Sequence, residues 1–347
     1  MPTVISPDPL VVRPYGSQDY DRLMALLRDV WSHKQDLEKH VQDRWWWQWA
    51  APPLYVVEDP ATGALAGLCA YIPFSLRTGG VELPSAWFVD FYVRQAYQGK
   101  GLGKRLTQAV QEQHAVTASL SQTAMAYRVF QKLGWTDRSP VTVYMHPLPR
   151  RWMFPSASPG HRIVTGAVEA SLPVWPDVDA LWCRTRDGFQ GLALRTSASL
   201  LARYAAQRDR QYDLVCAYRE DALVGYMIVR VVENRSRGRR APHGLIVDYL
   251  AHPDDGAAFG ALLSGAGSAL AANGVSRIFA MSTLPVCQRA LRARGFLAPS
   301  TPWLGRWMAG NTKWLTYTAK AGLPSPVSGQ WHVTLGDCDL DYAWVRH

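Results

Sequence analysis

Apolar runs at residues 53–57 and 64–71 flank the polar turn 58–63, a pattern that predicts a β-hairpin. The same pattern returns at 213–218 and 222–229 around Arg219, Glu220 and Asp221, with Gly225 standing where Gly67 stood. Roughly twenty residues beyond each hairpin comes an apolar strand carrying one acid, Asp90 in the first half and Asp248 in the second. The two acids are 158 positions apart, and so are the two glycines. Helical periodicity predicts helices over 19–31, 100–113, 124–133, 197–206, 256–272 and 286–293. Strand, helices, hairpin, strand, helix, strand and helix therefore follow one another twice. That predicts two tandem copies of one α/β domain with a mixed sheet, at 1–150 and 151–347. The joint is expected in the proline-rich stretch 147–160, which can continue neither a helix nor a central strand. The tail reads as a short strand at 331–335 followed by an acidic segment.

Composition narrows this picture. A chain of 347 residues, 48% hydrophobic and 19% charged, is an ordinary globular protein of two-domain length. Five widely spaced cysteines, without a C-x-x-C pair, argue against zinc and against a disulfide framework. Residues 1–12 lack a leader pattern, and no apolar run approaches bilayer-spanning length, so a reducing cytoplasm and no membrane are expected. The net charge of +9 suits nucleic acid, an anionic surface or a polyanionic cofactor alike. The densest basic run, 235–240, reads as a solvated hairpin loop or an anion patch, and Trp45, Trp46 and Trp47 as helix packing or the wall of an acceptor pocket.

The chemistry concentrates in Gln98, Gly99, Lys100, Gly101, Leu102, Gly103 and Lys104, which leave an apolar strand and enter an amphipathic helix. A helix start offers unpaired backbone N–H groups and a partial positive charge, so it binds phosphate. Glycines let the backbone come close to such an anion. The spacing is not that of a P-loop, and the position, after about ninety residues, is not that of a dinucleotide fingerprint. A glycine-rich turn without a ligand is the plain alternative. The second copy has Asp254, Asp255 and a single glycine at the matching place, where two carboxylates would repel a pyrophosphate but serve as a helix cap.

The segment Gln98 to Gly103 resembles the signature loop of the GNAT superfamily of acetyltransferases, [QR]-x-x-G-x-[GA], and the strand ending Phe91, Tyr92, Val93 is similar to that family's fourth strand. The resemblance implies an N-acyltransferase that moves an acetyl or other acyl group from its co-substrate, acetyl-CoA or another acyl-CoA, to the amine of a small molecule. It also implies cofactor contacts at Phe91, Tyr92, Val93 and residues 98–104, and an oxyanion donor among the backbone N–H groups near Tyr92 or Val93. The second copy is expected to be degenerate and to complete the acceptor pocket or the fold.

Acyl transfer to an amine needs a base, and Asp90 is the only acid in residues 87–93. Asp248 fills the matching place in the copy that lacks the loop, so both acids also fit a structural role beside an arginine. The family's general-acid tyrosine is replaced by Phe130, in the run Phe130 to Trp135; Tyr127, one turn earlier, is the substitute candidate, with packing as its plain reading. Asp337, Asp339 and Asp341 alternate, so an extended tail would turn them to one side, toward a cationic acceptor or toward nearby arginines. No metal is expected, and His40, His114 and His161 read as surface or capping residues. Two rival readings stay open: an aminoacyl-tRNA-dependent peptidyl transferase of similar tandem fold, against which the intact loop speaks, and a non-catalytic CoA-binding scaffold. A nucleic-acid partner is disfavoured, while monomer and homodimer both remain open.

Overall fold

The computed structural model describes residues 10–32, 41, 53–147, 154, 160–205, 210–233, 235–236, 239–300, 311–325 and 330–343. Trp45, Trp46, Trp47, His40 and most of the 147–160 joint lie outside them. The chain forms two compact units. The first comprises Met1–Phe74, Leu83–Arg138 and Trp314–Leu323, and the second Ser75–Glu82, Ser139–Lys313 and Pro324–His347.

The first unit holds β1 (Val11–Pro14), α1 (Tyr20–Val30), β2 (Leu54–Asp59), β3 (Ala64–Thr78), β4 (Val81–Val93), α2 (Leu102–Gln113), β5 (Val116–Leu120) and α3 (Ala124–Lys132). Its sheet order is β1-β2-β3-β4-β5, closed by β15 (Thr312–Ala319). β4 runs parallel to β5, and β15 is antiparallel to β5. The second unit uses β6 (Ser139–Pro147), β7 (Arg162–Ala167), α4 (Trp175–Thr185), β8 (Gly191–Ala193) and α5 (Ser197–Leu200). There follow β9 (Asp213–Arg219), β10 (Ala222–Val232), β11 (Arg235–Ser236), β12 (Arg239–Arg240), β13 (His243–Ala251), α6 (Gly256–Ala272), β14 (Arg277–Ser282) and α7 (Pro285–Ala293). It ends with β16 (Trp331–His332) and α8 (Leu340–Ala343).

Its order, β7-β9-β10-β13-β14-β6, repeats that of the first unit position by position, with β13 parallel to β14 and β6 antiparallel to β14. The last strand of each sheet thus comes from the other half of the sequence. The repeat is visible in chain order, but strand pairing across some two hundred residues leaves no local signal, and this exchange was not foreseen.

Apolar spacing decides what each face buries. In α2, Leu102, Leu106 and Val110 fall on one side and pack with Phe88, Phe130 and Trp135. Leu23, Leu26 and Leu27 of α1 pack with Val56, Leu65 and Leu68 in a second cluster. The second unit packs Phe259, Leu262 and Leu263 of α6 against Val215, Met227 and Ile246.

Several expected elements differ in extent. β3 continues to Thr78, because residues 76–78 pair with β8. The expected helix 197–206 is one α-turn followed by a π-turn at Leu201–Ala205. The tail is strand only at Trp331–His332 and then turns helically at Leu335–Asp337 and Leu340–Ala343, so the three alternating aspartates do not share one side. Residues 235–236 pair antiparallel with 239–240, and Arg240 Nε donates to Glu233 at 2.9 Å. All five cysteines are free thiols, with only Cys183 exposed.

Candidate active site at the start of the second helix

β4 leads through a 3₁₀ turn at Gln95–Tyr97 and the exposed residues 98–101 into α2. The helix begins at Leu102 rather than at Lys100, because Gly101 is the N-cap with φ +76 and ψ 5, a left-handed conformation a side chain resists. Gly99 is also left-handed, with φ +81, and a Cβ at either glycine would meet nothing within 4 Å. These two exposed glycines therefore border open space instead of relieving a crowded contact. Gly103 is different: its Cβ position lies 3.3 Å from Phe91 and 3.4 Å from Val129, so the helix start packs closely on β4 and α3. Gln98 Nε2 donates to Val93 O at 3.0 Å and closes the loop onto the strand end.

No side chain caps α2, and its first turn holds no acid. Lys104 and Arg105 occupy that turn instead, where the helix dipole disfavours cations. A local rule broken at one spot, with exposed N–H donors and added positive charge, fits a bound anion that satisfies both. This is the fit of the chain's residues to a diphosphate: Gly99, Lys100, Gly101, Leu102, Gly103 and Lys104 would face it with backbone N–H groups and two ammonium groups.

β4 changes character along its length. Residues 85–88 are buried and pair with Val116–Ser119 of β5, whereas residues 89–93 are half-buried and lie beyond the last pair, Phe88↔Ser119. Phe88 and Phe91 pack in one cluster while Val89 and Tyr92 pack in the opposing one. Strict alternation would put residues 88 and 91 on opposite faces, so the strand slips one step between them, as a β-bulge does. Asp90 sits at that slip. Burial raises the Cys69 thiol well above its ordinary pKa and the neighbouring Asp90 charge adds to the effect, which places this carboxylate close to Cys69. The second unit keeps the device: Ile228 pairs with Asp248 and Val229 with Ile246, so Val247 is the extra residue.

The other candidates are placed differently. Phe130 is buried and stacks on Trp135, with centroids 4.2 Å apart, and on Phe91 at 6.1 Å. Successive helix residues turn by about 100°, so Tyr127 and Val129 face nearly opposite ways. Val129 is the residue that approaches Gly103, whereas the Tyr127 hydroxyl accepts from Gln131 Nε2 at 2.8 Å and donates to Asp137 at 3.4 Å. Arg138 covers the Tyr127 ring at 4.3 Å. Tyr127 thus belongs to a surface cluster with Gln131, Asp137 and Arg138.

In the second unit Asp248 is buried. It accepts from Arg195 Nε at 2.9 Å, Tyr204 Oη at 3.1 Å and Thr334 Oγ1 at 3.2 Å. Arg195 Nη2 also donates to Asp337, at 2.8 and 3.0 Å. Asp341 is fully buried, accepts from Tyr212 Oη at 2.9 Å and pairs with Arg203 at 3.4 Å. Asp337 and Asp341 are thus buried partners of arginines, close to the plainer of the two expectations. His114 is likewise buried, its Nδ1 within 2.9 Å of Val110 O. Among the described residues no cluster of His, Cys, Asp or Glu has the makings of a metal site, and no helix is long and apolar enough to cross a membrane.

Residues 11–137 match the model of the acetyltransferase (GNAT) domain. The fold of the whole chain is similar to that of a GCN5-related N-acetyltransferase from Anabaena variabilis, at 13% identity and TM-score 0.59, covering 89% of this chain and 72% of that one. It is also similar to Saccharomyces cerevisiae N-myristoyltransferase with bound myristoyl-CoA, at 13% identity and TM-score 0.55, covering 96% and 89%. No curated protein sequence matches the chain.

Proposed function

We propose that the protein is an acyl-CoA-dependent N-acyltransferase whose first unit binds the thioester and whose acceptor is a small-molecule amine. The observation that carries this reading is the uncapped start of α2, with cations in its first turn and two left-handed glycines before it. The diphosphate rests on the N–H groups of residues 99–104 with Lys100 and Lys104 as counter-charges, and Gln98 holds the loop shut. The pantetheine arm runs along Phe91, Tyr92 and Val93, where β4 has no β5 partner. That path leads the thioester toward the bulge at Asp90.

Asp90 then takes a proton from the acceptor amine as its nitrogen attacks the thioester carbonyl. A C–N bond forms, the C–S bond breaks, and the thiolate leaves with the electron pair of that bond, unaided by Tyr127. A backbone N–H near Tyr92 or Val93 meets the developing oxyanion.

Calorimetry with acyl-CoAs from acetyl to myristoyl, followed by thiol release across a panel of amines, tests the reading. Expected are binding in the micromolar range and turnover with at least one amine. Asp90→Ala should lower that turnover by about 10²–10³-fold with little change in acyl-CoA affinity. Unchanged turnover removes Asp90 from the mechanism. Binding without turnover on any amine leaves a CoA-binding module, and no binding at all defeats the proposal.

A further inference from the structure

We infer that Tyr97 is a positioning residue for the phosphate loop, held by Asp59 so that the loop is shaped before an acyl-CoA arrives; the inference rests on the proposed CoA site. Tyr97 ends the 3₁₀ turn two residues ahead of Gly99. Its hydroxyl donates to Asp59 Oδ2 at 2.7 Å, across 38 positions of sequence. Asp59 is the last residue of β2 and is buried, and its other oxygen accepts from Ala61 N at 3.0 Å. The carboxylate is therefore fixed from both sides, and the Tyr97 hydroxyl holds it ionised, below the ordinary carboxylate range. On the ring side, the Lys100 ammonium lies 5.3 Å from the Tyr97 centroid.

One side chain thus does two things to the loop. It ties the turn to the end of β2, and its ring gives Lys100 a resting place at cation–π range. By donating to Asp59 it also occupies the anion that would otherwise compete with a phosphate for that lysine. Arg94 N to Ala66 O at 2.8 Å fixes the strand end, and Gln98 Nε2 to Val93 O at 3.0 Å closes the loop onto its own strand. Tyr97 ties the same segment to a different strand, at the end of β2. Ordering a loop on binding weakens affinity, so a loop shaped in advance binds more tightly.

The test compares acetyl-CoA with acetyl-pantetheine, which keeps the thioester and lacks the diphosphate. Tyr97→Phe removes one hydroxyl and leaves the ring, and should raise the Kd for acetyl-CoA about 5-fold while leaving acetyl-pantetheine turnover and kcat at saturating acetyl-CoA unchanged. Asp59→Asn retains an acceptor oxygen and should stay within about 2-fold of the wild type, whereas Asp59→Leu should match Tyr97→Phe. If Tyr97→Phe binds acetyl-CoA like the wild type, or if both substrates suffer equally, Tyr97 is a packing residue and the inference falls. If the wild-type chain itself does not bind acetyl-CoA, the underlying assignment has failed instead.

Discussion

The helices α2 and α6 begin at matching places in two copies of one fold, and the proposed site rests on the difference between their first turns. α2 starts on Gly101 with no side-chain cap. α6 starts on Asp255, whose carboxylate accepts from Ala258 N at 2.9 Å and is gripped in turn by Arg219 at 2.8 and 3.1 Å. Eight residues, 94–101, join β4 to α2, but only four, 252–255, join β13 to α6. The contrast continues along the strand. Tyr249 stands 158 positions after Phe91, and its carbonyl oxygen lies 3.0 Å from His332 Nε2, a bond made by the chain's own tail. Asp248, the counterpart of half-buried Asp90, is wrapped by Arg195, Tyr204 and Thr334. In the second copy the tail reaches the strand at Tyr249 O, and Arg195, Tyr204 and Thr334 surround Asp248. An open helix start and an open strand edge are unfavourable unless something arrives to occupy them, so their persistence in one copy alone speaks for a ligand there.

Separating the copies is the harshest way to break this comparison. Residues 1–150 lack β15, whose residues 315–319 pair with β5 and whose Leu315 and Tyr317 are buried. That fragment should be largely insoluble, with a bare β5 edge and an apolar face uncovered. Linking residues 311–325 to it should restore a soluble, CoA-binding unit. Gel filtration and calorimetry decide, and a soluble, fully binding 1–150 fragment would mean the exchanged strand is dispensable.

Asp248→Ala leaves the buried Arg195 with one of its two carboxylates, and loss of one partner from such a buried set costs about 3–5 kcal/mol. Asp90→Ala, at a half-buried position, should cost under about 1 kcal/mol in denaturant unfolding. Equal losses would mean that the two acids have the same structural role, and Asp90 would no longer stand as the base. Next in size is Gly101→Val, which puts a β-branched residue at φ +76 and a side chain into the open space before the helix start. The Kd for acetyl-CoA should rise about 100-fold, equivalent to about 2.7 kcal/mol. Gly256→Ala, at the matching helix start, should leave it unchanged.

His332 gives the comparison a pH dependence. Burial chiefly, with the Arg195 charge second, lowers its pKa to about 3, against 6.5 for the free side chain; its contact with Tyr249 O and the charge of Asp248 act the other way. The unfolded chain therefore binds this proton more readily than the folded one, and stability falls as pH drops from 6.5 toward 3. The slope is at most about 1.4 kcal/mol per pH unit. His332→Gln, an amide that keeps a donor, should flatten that limb of a stability-against-pH curve for the second unit. A slope of the same size in both proteins would assign the acid sensitivity to other groups.

The glycine-rich junction was legible because its features are local: glycines, cations and a strand-to-helix boundary lie within a dozen residues. The repeat was legible for a related reason, since element order survives along the chain. What escaped depends on partners far apart. Thr334 and Asp337 meet Asp248 and Arg195 across 86 and 142 positions, and the alternation of Asp337, Asp339 and Asp341 was uninformative once the backbone turned helical. The bond from the Tyr127 hydroxyl to Asp137, ten positions on, likewise has no signature in the sequence. A signal for Tyr97 did exist, an aromatic residue immediately before the loop, but its meaning depends on Asp59, 38 positions earlier.

The smallest change asks whether charge alone silences the second copy. Asp255→Ala removes the cap of α6 and frees Arg219, at a cost of about 1 kcal/mol for the lost cap. Were repulsion by this carboxylate the whole reason, the variant would gain a helix start with a cation beside it, and calorimetry would find a second, weak site for acetyl-CoA. The expected result is one site with unchanged affinity and a slightly lower melting temperature. The joining loop is still four residues shorter, with no glycine in residues 252–255, and His332 still faces the Tyr249 carbonyl. A phosphate could not be wrapped by so short a turn, and a pantetheine arm would find the strand edge taken. A second binding event in Asp255→Ala would therefore place the difference between the copies in one carboxylate rather than in loop length and strand edge.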